Sequence, residues 1–365
     1  MIPETPLRPL HEAAGAQLAE YFGCLMPGRF TDAREEYRFA RETVGVVDKN
    51  YRAWFDLTGP DRVRYLNAVT SNNIRDLQAG QGIAALLLNA QGHILAELEV
   101  YALPDRLRIA AHAMNRARTF DTLEKYIIMD DATIEDVTDR FGAIALEGPR
   151  TPALLAELGA PSLDALSELG HANATIAGVA CMMLRRSSGG IPSAEFIASR
   201  ADLPRLWTAL LDAAKSHGGA IGYSALNTLR LEAGIPWFGY DFDDTMIPQE
   251  AAVEQTHLSF TKGCYTGQEI VERVRSRGHV NRRRAGVAFS GGEVPAAKTP
   301  LLADGVEVGR VTRAAFSYAL NRPIGFAYLR REHSESGTKL TWAGGDAEVI
   351  TLPIRAAEKS PAASR

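Results

Sequence analysis

The chain has 365 residues, of which 46% are hydrophobic and 23% are charged, so it can bury a large core spread over two or three domains. A net charge of −4 excludes the overall positive potential of a general nucleic-acid-binding protein, and we expect no direct binding to DNA. Three widely spaced cysteines and the lack of an apolar run of about 18 residues predict a cytoplasmic protein without direct membrane contact, disulfides or a metal site within one chain.

The first third of the sequence predicts a strand-rich layer with helices beside it. In chain order the predicted elements are helices over 12–21 and 31–43, a strand over 53–57, a helix over 61–69, strands over 83–88, 94–103 and 107–111, and a helix over 118–128. Consecutive strands that form hairpins, with helices on one face, indicate an α+β sheet.

The remaining sequence continues this pattern and changes character near residue 282. The further elements are strands over 134–137 and 141–146, a helix over 152–158, one or two strands over 175–184, and helices over 203–217 and 224–231. Short strand-like pieces follow at 284–289, 306–312, 323–329, 339–342 and 346–352, which is typical of a small β-barrel. We therefore predict two interleaved α+β subdomains over 1–281, the second centred on about 53–135, a barrel over 282–355 and a disordered tail over 356–365.

A run of unusual composition, residues 262–273, lies shortly before the predicted barrel. It reads Lys-Gly-Cys-Tyr-Thr-Gly-Gln-Glu-Ile-Val-Glu-Arg; its two glycines predict a tight turn, and the residues after the second glycine predict a helix. Thr266 is the expected N-cap, with Glu269 as its capping-box partner. A thiol before a helix and beside Lys262 is expected to ionise easily, which makes Cys264 a candidate catalytic group; a structural turn with a small buried thiol is the alternative.

The same run resembles the signature Lys-Gly-Cys-Tyr-x-Gly-Gln-Glu-x-x-x-Arg of the YgfZ family of folate-binding proteins, which are relatives of the glycine cleavage T-protein, an aminomethyltransferase. The T-protein usually reads Lys-Gly-Asp-Phe-Ile-Gly-Lys-Glu there. The matching positions are Lys262, Gly263, Cys264, Tyr265, Gly267, Gln268, Glu269 and Arg273. Likeness to this superfamily extends from residue 5 to about 355. It implies a three-domain, T-protein-like α+β fold around a central folate pocket, with a small C-terminal β-barrel.

The resemblance also implies folate-binding residues. Where the T-protein has Gly-Gly-Ile-Leu-Asp-Asp-Leu, residues 92–98 read Gly-His-Ile-Leu-Ala-Glu-Leu, so Glu97 is the candidate for the carboxylate that handles the folate amine. The alternative is that Glu97 lies on the solvent side of an amphipathic strand. The T-protein landmark Val-Asn-Ala-x-Asn corresponds to residues 111–115, which makes His112 and Asn115 further candidates.

Two more charged residues match superfamily positions. Glu195, in the match over 188–197, aligns near the glutamate that binds the pterin, where a carboxylate can accept two hydrogen bonds from the aminopyrimidine. Arg230, in an Arg-x-Glu-Ala-Gly-x-Pro string, is the candidate partner of the folate glutamate tail; a structural ion pair at a helix end is its alternative. One departure is clear, because the T-protein continues Val-Ser-His-Met where residues 49–52 read Lys-Asn-Tyr-Arg.

Three functions follow from the resemblance. The intact cysteine signature favours a tetrahydrofolate-binding protein that supports assembly or repair of iron–sulfur enzymes, such as tRNA methylthiotransferases, with these enzymes or assembly proteins as partners and Cys264 and Lys262 as working groups. The alternatives are an aminomethyltransferase, which transfers a one-carbon unit from an aminomethyl-lipoyl carrier to tetrahydrofolate, and a non-catalytic folate-dependent scaffold. Because the Asp-Asp pair and the Ser-His-Met string are missing, we expect the chain not to be a classical aminomethyltransferase.

Overall fold

The computed structural model describes residues 2–186 and 190–354, and the chain divides into two units. The first unit comprises residues 1–226 and 237–280, and the second comprises the remainder. The predicted disordered tail and the residues 188–189 of the aligned string lie outside the described residues. Within the described ranges, no helix has the length and apolar character that are needed to cross a bilayer.

The elements of the first unit are short, as the turn residues predict. Its strands are β1 (Gln17–Tyr21), β2 (Cys24–Arg29), β3 (Gly45–Asp48), β4 (Arg52–Thr58), β5 (Gly82–Leu88), β6 (Ile94–Ala102), β7 (Leu107–His112), β8 (Thr133–Asp136), β9 (Phe141–Glu147), β10 (His171–Ile176), β11 (Val179–Arg185), β12 (Ser193–Ser199) and β13 (Gly219–Ala220). The helices are α1 (Arg8–Ala13), α2 (Ala33–Glu42), α3 (Arg62–Val69), α4 (Arg116–Tyr126), α5 (Thr151–Glu157), α6 (Leu203–Ala214), α7 (Tyr223–Glu232, of which residues from 227 belong to the second unit), α8 (Pro248–Ala251), α9 (Glu254–His257) and α10 (Gln268–Arg277).

Two sheets form the framework of the first unit. One is antiparallel throughout and has the strand order β5-β6-β7-β4-β8; the other has the order β10-β11-β12-β9-β3-β13, with only β13 pairing in parallel. A buried cluster that includes Trp54 and Tyr101 from the first sheet and Leu184 and Ile197 from the second packs between them. The two sheets therefore share a core, and side chains on their facing surfaces can meet.

The β6 strand shows how the sequence sorts its residues onto two faces. Successive side chains of a strand point to opposite faces, and the even-numbered residues from Ile94 to Val100 are buried and apolar. The same alternation places Glu97 and Glu99 together on the opposite face. One face of β6 thus contributes to the core and the other carries two carboxylates.

The helix predicted over 12–21 is wrong beyond Ala13. Gly15 has a φ of +77°, and after it the chain continues as β1, which pairs with β2. Phe22 and Gly23, the two residues that join these strands, have φ values of +53° and +76°. Two consecutive positive φ values are typical of a type I′ hairpin turn, a feature that the helical periodicity obscured.

The second unit contains a closed β-barrel. Its strands are β14 (Arg282–Phe289), β15 (Pro300–Ala303), β16 (Val306–Ser317), β17 (Arg322–Arg330), β18 (Lys339–Trp342) and β19 (Gly345–Ile350), in the order β14-β17-β16-β15-β18-β19. The barrel closes because β14 pairs with both β17 and β19. The predicted α+β class with a small C-terminal β-barrel is confirmed.

The start of α10 differs from the predicted capping box. The N-cap is Gly267, with a φ of +83°, and no side chain caps the helix. A Cβ atom at Gly267 would lie 2.5 Å from the backbone oxygen of Asn89 in the β5–β6 turn. The expected pairing of Thr266 with Glu269 is therefore wrong, because a left-handed backbone in close contact with another turn requires glycine as the capping residue.

We expect Gly267→Ala to lower the free energy of unfolding by about 1–3 kcal/mol, since it combines an unfavourable φ with a backbone clash. Gly263→Ala is the matched control, because a Cβ atom at Gly263 would meet nothing within 4 Å; its effect should stay within about 0.5 kcal/mol. Urea unfolding of both variants measures the difference. Equal stability of the two variants would show that the turn shifts freely to accept a side chain.

Candidate active site

The candidate site begins on the face of the five-stranded sheet that carries the β6 carboxylates. Arg52 at the start of β4 pairs in register with His112 at the end of β7, and Glu99 on β6 pairs with Ala110 on β7. This register places the guanidinium of Arg52 and the imidazole of His112 close to the carboxylates of Glu97 and Glu99. The cluster forms because β4 and β6 both flank β7.

Arg52 lies at the centre of a buried ion network. Its Nη1 is 2.5 Å from Oε2 of Glu99, and its Nη2 is 3.1 Å from Oε2 of Glu195 on β12. Arg186 places Nη2 2.5 Å from Oε1 of Glu99, and the Tyr101 hydroxyl donates to Oε2 of Glu99 at 2.5 Å. We call these five residues the Arg52 network. It joins the two sheets, because Glu195 belongs to the six-stranded one.

The charges of the Arg52 network balance locally. Burial alone would raise the pKa of Glu99, but the Arg186 and Arg52 guanidinium groups hold this pKa well below its ordinary value. Burial and the neighbouring Glu99 raise the pKa of Tyr101 far above its ordinary value, so the phenol stays protonated and donates. One oxygen of Glu195, Oε1, is buried and has no hydrogen-bond partner among the described residues.

Glu97 lies between two imidazoles. Its Oε1 is 3.0 Å from Nε2 of His257 on α9, and its Oε2 is 3.6 Å from Nε2 of His112. Burial would raise the pKa of Glu97, but the hydrogen bond and charge of His257 bring the pKa below its ordinary value. Burial lowers the pKa of His112 to about 4, so this imidazole is neutral at pH 7. Its Nδ1 is buried and, among the described residues, has no partner.

Aromatic side chains flank His112. The ring of Phe22, in the β1–β2 turn, lies 4.3 Å from the ring of Tyr51 and 4.8 Å from the imidazole of His112. Trp237 lies 5.1 Å from the Phe22 ring, and the Tyr240 hydroxyl accepts a hydrogen bond from the Phe22 backbone N–H at 3.0 Å. The titratable groups of the cluster thus lie beside aromatic rings.

The sequence-predicted binding residues separate into two sets. Glu97, His112 and Glu195 lie in the cluster just described, and Asn115 donates through Nδ2 to the carbonyl of Leu95 on the same strand as Glu97 at 3.2 Å. Arg230 lies in the second unit, fully buried, where its Nε and Nη2 donate to Oδ1 of Asn227 at 2.9 and 2.7 Å. These contacts are hydrogen bonds to a side-chain amide, and a role for Arg230 toward the folate tail stays a prediction.

The residues of the cysteine signature have mainly structural contacts. The Lys262 ammonium donates to the backbone carbonyls of Asn67, Thr70 and Asn72, which together use its three donors, and burial lowers its pKa to about 8. Cys264 is exposed. The ammonium that was expected to activate the thiol therefore binds carbonyls at the end of α3 and just after it, and a catalytic role for Cys264 stays a prediction.

The other signature residues surround the turn and the first part of α10. Tyr265 packs in a buried cluster and its backbone N–H donates to Oε1 of Gln268 at 3.3 Å. Arg273 pairs with Glu269 on the exposed side of the helix at 3.0 Å. The run thus shapes a turn that contacts the β5–β6 hairpin.

Sequence reasoning missed several residues of the cluster. Arg52 was recognised only as a departure from the T-protein pattern, and its partner Glu99 was not singled out. His257, Phe22 and Trp237 lie on short turns or helices that carry no periodic signal. The one local signal in the sequence for this cluster was the pair Glu97 and Glu99, on an otherwise apolar strand.

Two known protein-family domains match most of the chain. Residues 7–258 match the GCVT N-terminal domain, and residues 282–354 match the glycine cleavage T-protein C-terminal barrel domain. The chain belongs to the glycine cleavage T-protein family. The first match contains the whole cluster around Arg52 and Glu97, and the second contains the barrel.

Individual T-protein relatives match over nearly their full length. The aminomethyltransferase of Streptomyces avermitilis is 30% identical over 364 residues, which cover 97% of this chain and 98% of that protein. The aminomethyltransferase of Saccharopolyspora erythraea is also 30% identical, with coverage of 96% and 97%. The crystal structure of glycine cleavage system aminomethyltransferase T from Bartonella henselae superimposes with a TM-score of 0.88 over 97% of this chain and 98% of that one. Its sequence identity of 24% means that this last likeness shows the fold alone.

These matches correct the function predicted from the sequence. The prediction of a role in iron–sulfur enzyme maintenance is wrong, and so is the expectation that the chain is not a classical aminomethyltransferase, because relatives named aminomethyltransferase align with it from end to end. The T-protein family is shown, whereas the YgfZ branch is not. The cause of the error was the weight given to one signature of twelve residues over the likeness of the whole chain.

Proposed function

We propose that this T-protein family member is an aminomethyltransferase that transfers a one-carbon unit from an aminomethyl-lipoyl carrier to tetrahydrofolate. Full-length relatives that bear this name support the reaction class. The single structural observation that supports it best is Glu97, a carboxylate held between two imidazoles on the strand where the superfamily has its folate-handling acid.

The residues of the cluster fit a reduced folate. A pterin ring carries N–H donors along its edge and is flat, so it needs acceptors in one plane and an apolar face beside them. Oε1 of Glu195 and Nδ1 of His112 are buried acceptor positions without a partner among the described residues, and an unmet buried acceptor costs about 1–3 kcal/mol. The half-buried rings of Trp237 and Tyr240, which pack against Phe22, supply the apolar surface.

The chemistry requires a group that moves a proton. When bound, tetrahydrofolate supplies the two nitrogens that accept the carbon unit, while ammonia leaves and the carrier regains its free thiol. Glu97 can take a proton from the reacting amine, because it is ionised at neutral pH. Its side chain is 20% exposed, so the carboxylate is accessible as well as oriented.

The proposal is tested by incubating the purified protein with an aminomethylated lipoyl carrier protein and tetrahydrofolate. Methylene-tetrahydrofolate and ammonia should form in equal amounts. The same carrier without the aminomethyl group is the control and should yield neither product. If the protein binds tetrahydrofolate but forms no methylene-tetrahydrofolate from the loaded carrier, the proposed function is rejected.

A further inference from the structure

The contact between Glu97 and His257 joins two residues that are 160 positions apart in the chain. The His257 side chain is 11% exposed and the Glu97 side chain 20% exposed. Because an isolated buried carboxylate is costly, a nearby donor that is itself fixed in place has a large influence on its charge and direction.

The position of His257 is fixed from two sides. Its backbone carbonyl accepts a hydrogen bond from the Ser71 hydroxyl at 2.6 Å, and the same hydroxyl accepts from the Leu86 backbone N–H at 2.8 Å. In the ring, Nδ1 lies 2.7 Å from Oγ1 of Thr256. These contacts leave Nε2 as the nitrogen that faces Glu97.

The hydrogen-bond pattern assigns the proton to Nε2. The Thr256 hydroxyl can donate to Nδ1 or accept from it, so it satisfies that nitrogen in either form. A neutral ring protonated only on Nδ1 would place two acceptors, Nε2 and the Glu97 carboxylate, 3.0 Å apart. A donor at Nε2 makes the same distance favourable.

Among the described residues around Glu97, His112 also favours the anionic form, but its Nε2 lies farther away, 3.6 Å from Oε2 of Glu97. His112 is neutral at pH 7, because burial lowers its pKa to about 4. Glu99, on the same strand, raises the pKa of Glu97. The guanidinium groups of Arg52 and Arg186 bond to Glu99, and Arg52 also bonds to Glu195.

We propose that His257 is a positioning residue, which holds the Glu97 carboxylate in its anionic form and fixes the direction of its oxygens. This inference rests on the proposed function for its catalytic consequence. The contact itself can be tested by a measurement that does not depend on catalytic activity. Hydrogen bonding to the charged form of a carboxylate favours that form, so removal of His257 leaves burial and Glu99 opposed by His112, whose influence on Glu97 is weaker.

The first test measures the titration of Glu97 by 13C NMR. The protein is labelled at its glutamate carboxyl carbons, and Glu97→Gln assigns the resonance. In His257→Ala the midpoint should rise by at least one pH unit; in His257→Gln, which keeps a donor without a charge, it should rise less. His217→Gln is the matched control, because His217 is exposed at the end of α6 and should leave the midpoint unchanged. An unchanged midpoint in both His257 variants overturns the proposal, and His257→Gln keeps the test decisive if the alanine variant does not fold.

The second test uses turnover. The acid limb of the pH profile of kcat/KM, which reports the free enzyme, should move upward in His257→Ala by the same amount as the Glu97 titration, with the KM for tetrahydrofolate changed less than threefold. A fall in kcat without movement of this limb indicates a merely structural role and overturns the proposal. If the wild type catalyses no transfer, the proposed function fails, and the carboxylate titration then decides the positioning role alone.

Discussion

Glu97→Gln should lower kcat for aminomethyl transfer about 10²–10⁴-fold, the usual contribution of a positioned acid or base. Glutamine has the size of glutamate, and its carbonyl oxygen can still accept from Nε2 of His257, which lies 3.0 Å from Oε1 of Glu97. It cannot take up a proton. The Kd for tetrahydrofolate should therefore change less than about threefold, so the loss appears in turnover and not in binding.

Steady-state kinetics with loaded carrier, together with calorimetric titration of tetrahydrofolate, measures both quantities. Glu124→Gln is the matched control, because Glu124 is an exposed glutamate on α4; it should retain wild-type kinetics. A Glu97→Gln enzyme with more than half of the wild-type kcat would exclude Glu97 as the group that moves the proton.

Arg52→Met should lower the free energy of unfolding by about 3–5 kcal/mol at pH 7, because removal of one partner leaves buried carboxylates uncompensated. Methionine is the residue of the T-protein pattern at this position. The substitution deletes the guanidinium that bonds to both Glu99 and Glu195. Since a domain has only about 5–15 kcal/mol of stability in total, the shift in the urea midpoint should be large.

The exposed pair Arg38–Glu42 on α2 supplies the control. Its side chains are 63% and 57% exposed, so Arg38→Ala should leave the urea midpoint almost unchanged. A loss below about 1 kcal/mol in Arg52→Met would show that the carboxylates find other partners and that the Arg52 network is not the electrostatic centre of this unit.

The effect of Arg52→Met should also depend on pH. The folded pKa of Glu99 lies below the ordinary value of 4.5. Its stabilising contribution is therefore fully present above the unfolded pKa and is lost as the pH falls through the folded pKa. The stability difference between Arg52→Met and the wild type should shrink below about pH 4. Urea unfolding at pH 7, 5 and 3 measures this trend, and a constant difference would contradict it.

The sequence predicted several residues of the site but not the contacts that join them. Glu97, His112 and Glu195 were named from their likeness to superfamily positions, and the structure brings them into one cluster. Arg52 stands in the sequence as part of a departure from a pattern, with nothing beside it to suggest partners 47 and 143 residues away. Such contacts depend on which strands become neighbours, and local residue order does not contain that information.

The cysteine signature illustrates the opposite case. Its composition predicted a reactive thiol, whereas in the structure the ammonium of Lys262 donates to three carbonyls. Gly267 lacks a side chain where the turn of the β5–β6 hairpin packs closely against it. The physical reason is that close packing can require particular residues in a short run as strictly as a catalytic role can. Only its surroundings distinguish the two.

The sequence by itself determined the faces of the strands, the α+β class and the C-terminal barrel, because alternation and turn chemistry follow from backbone geometry within a few residues. The tertiary structure alone decided which charges meet. β7 between β4 and β6 brings Arg52 to Glu99, the shared core brings Glu195 to Arg52, and α9 brings His257 to Glu97. Electrostatic energy depends on distance in space, and in this chain the decisive distances are set by sheet order.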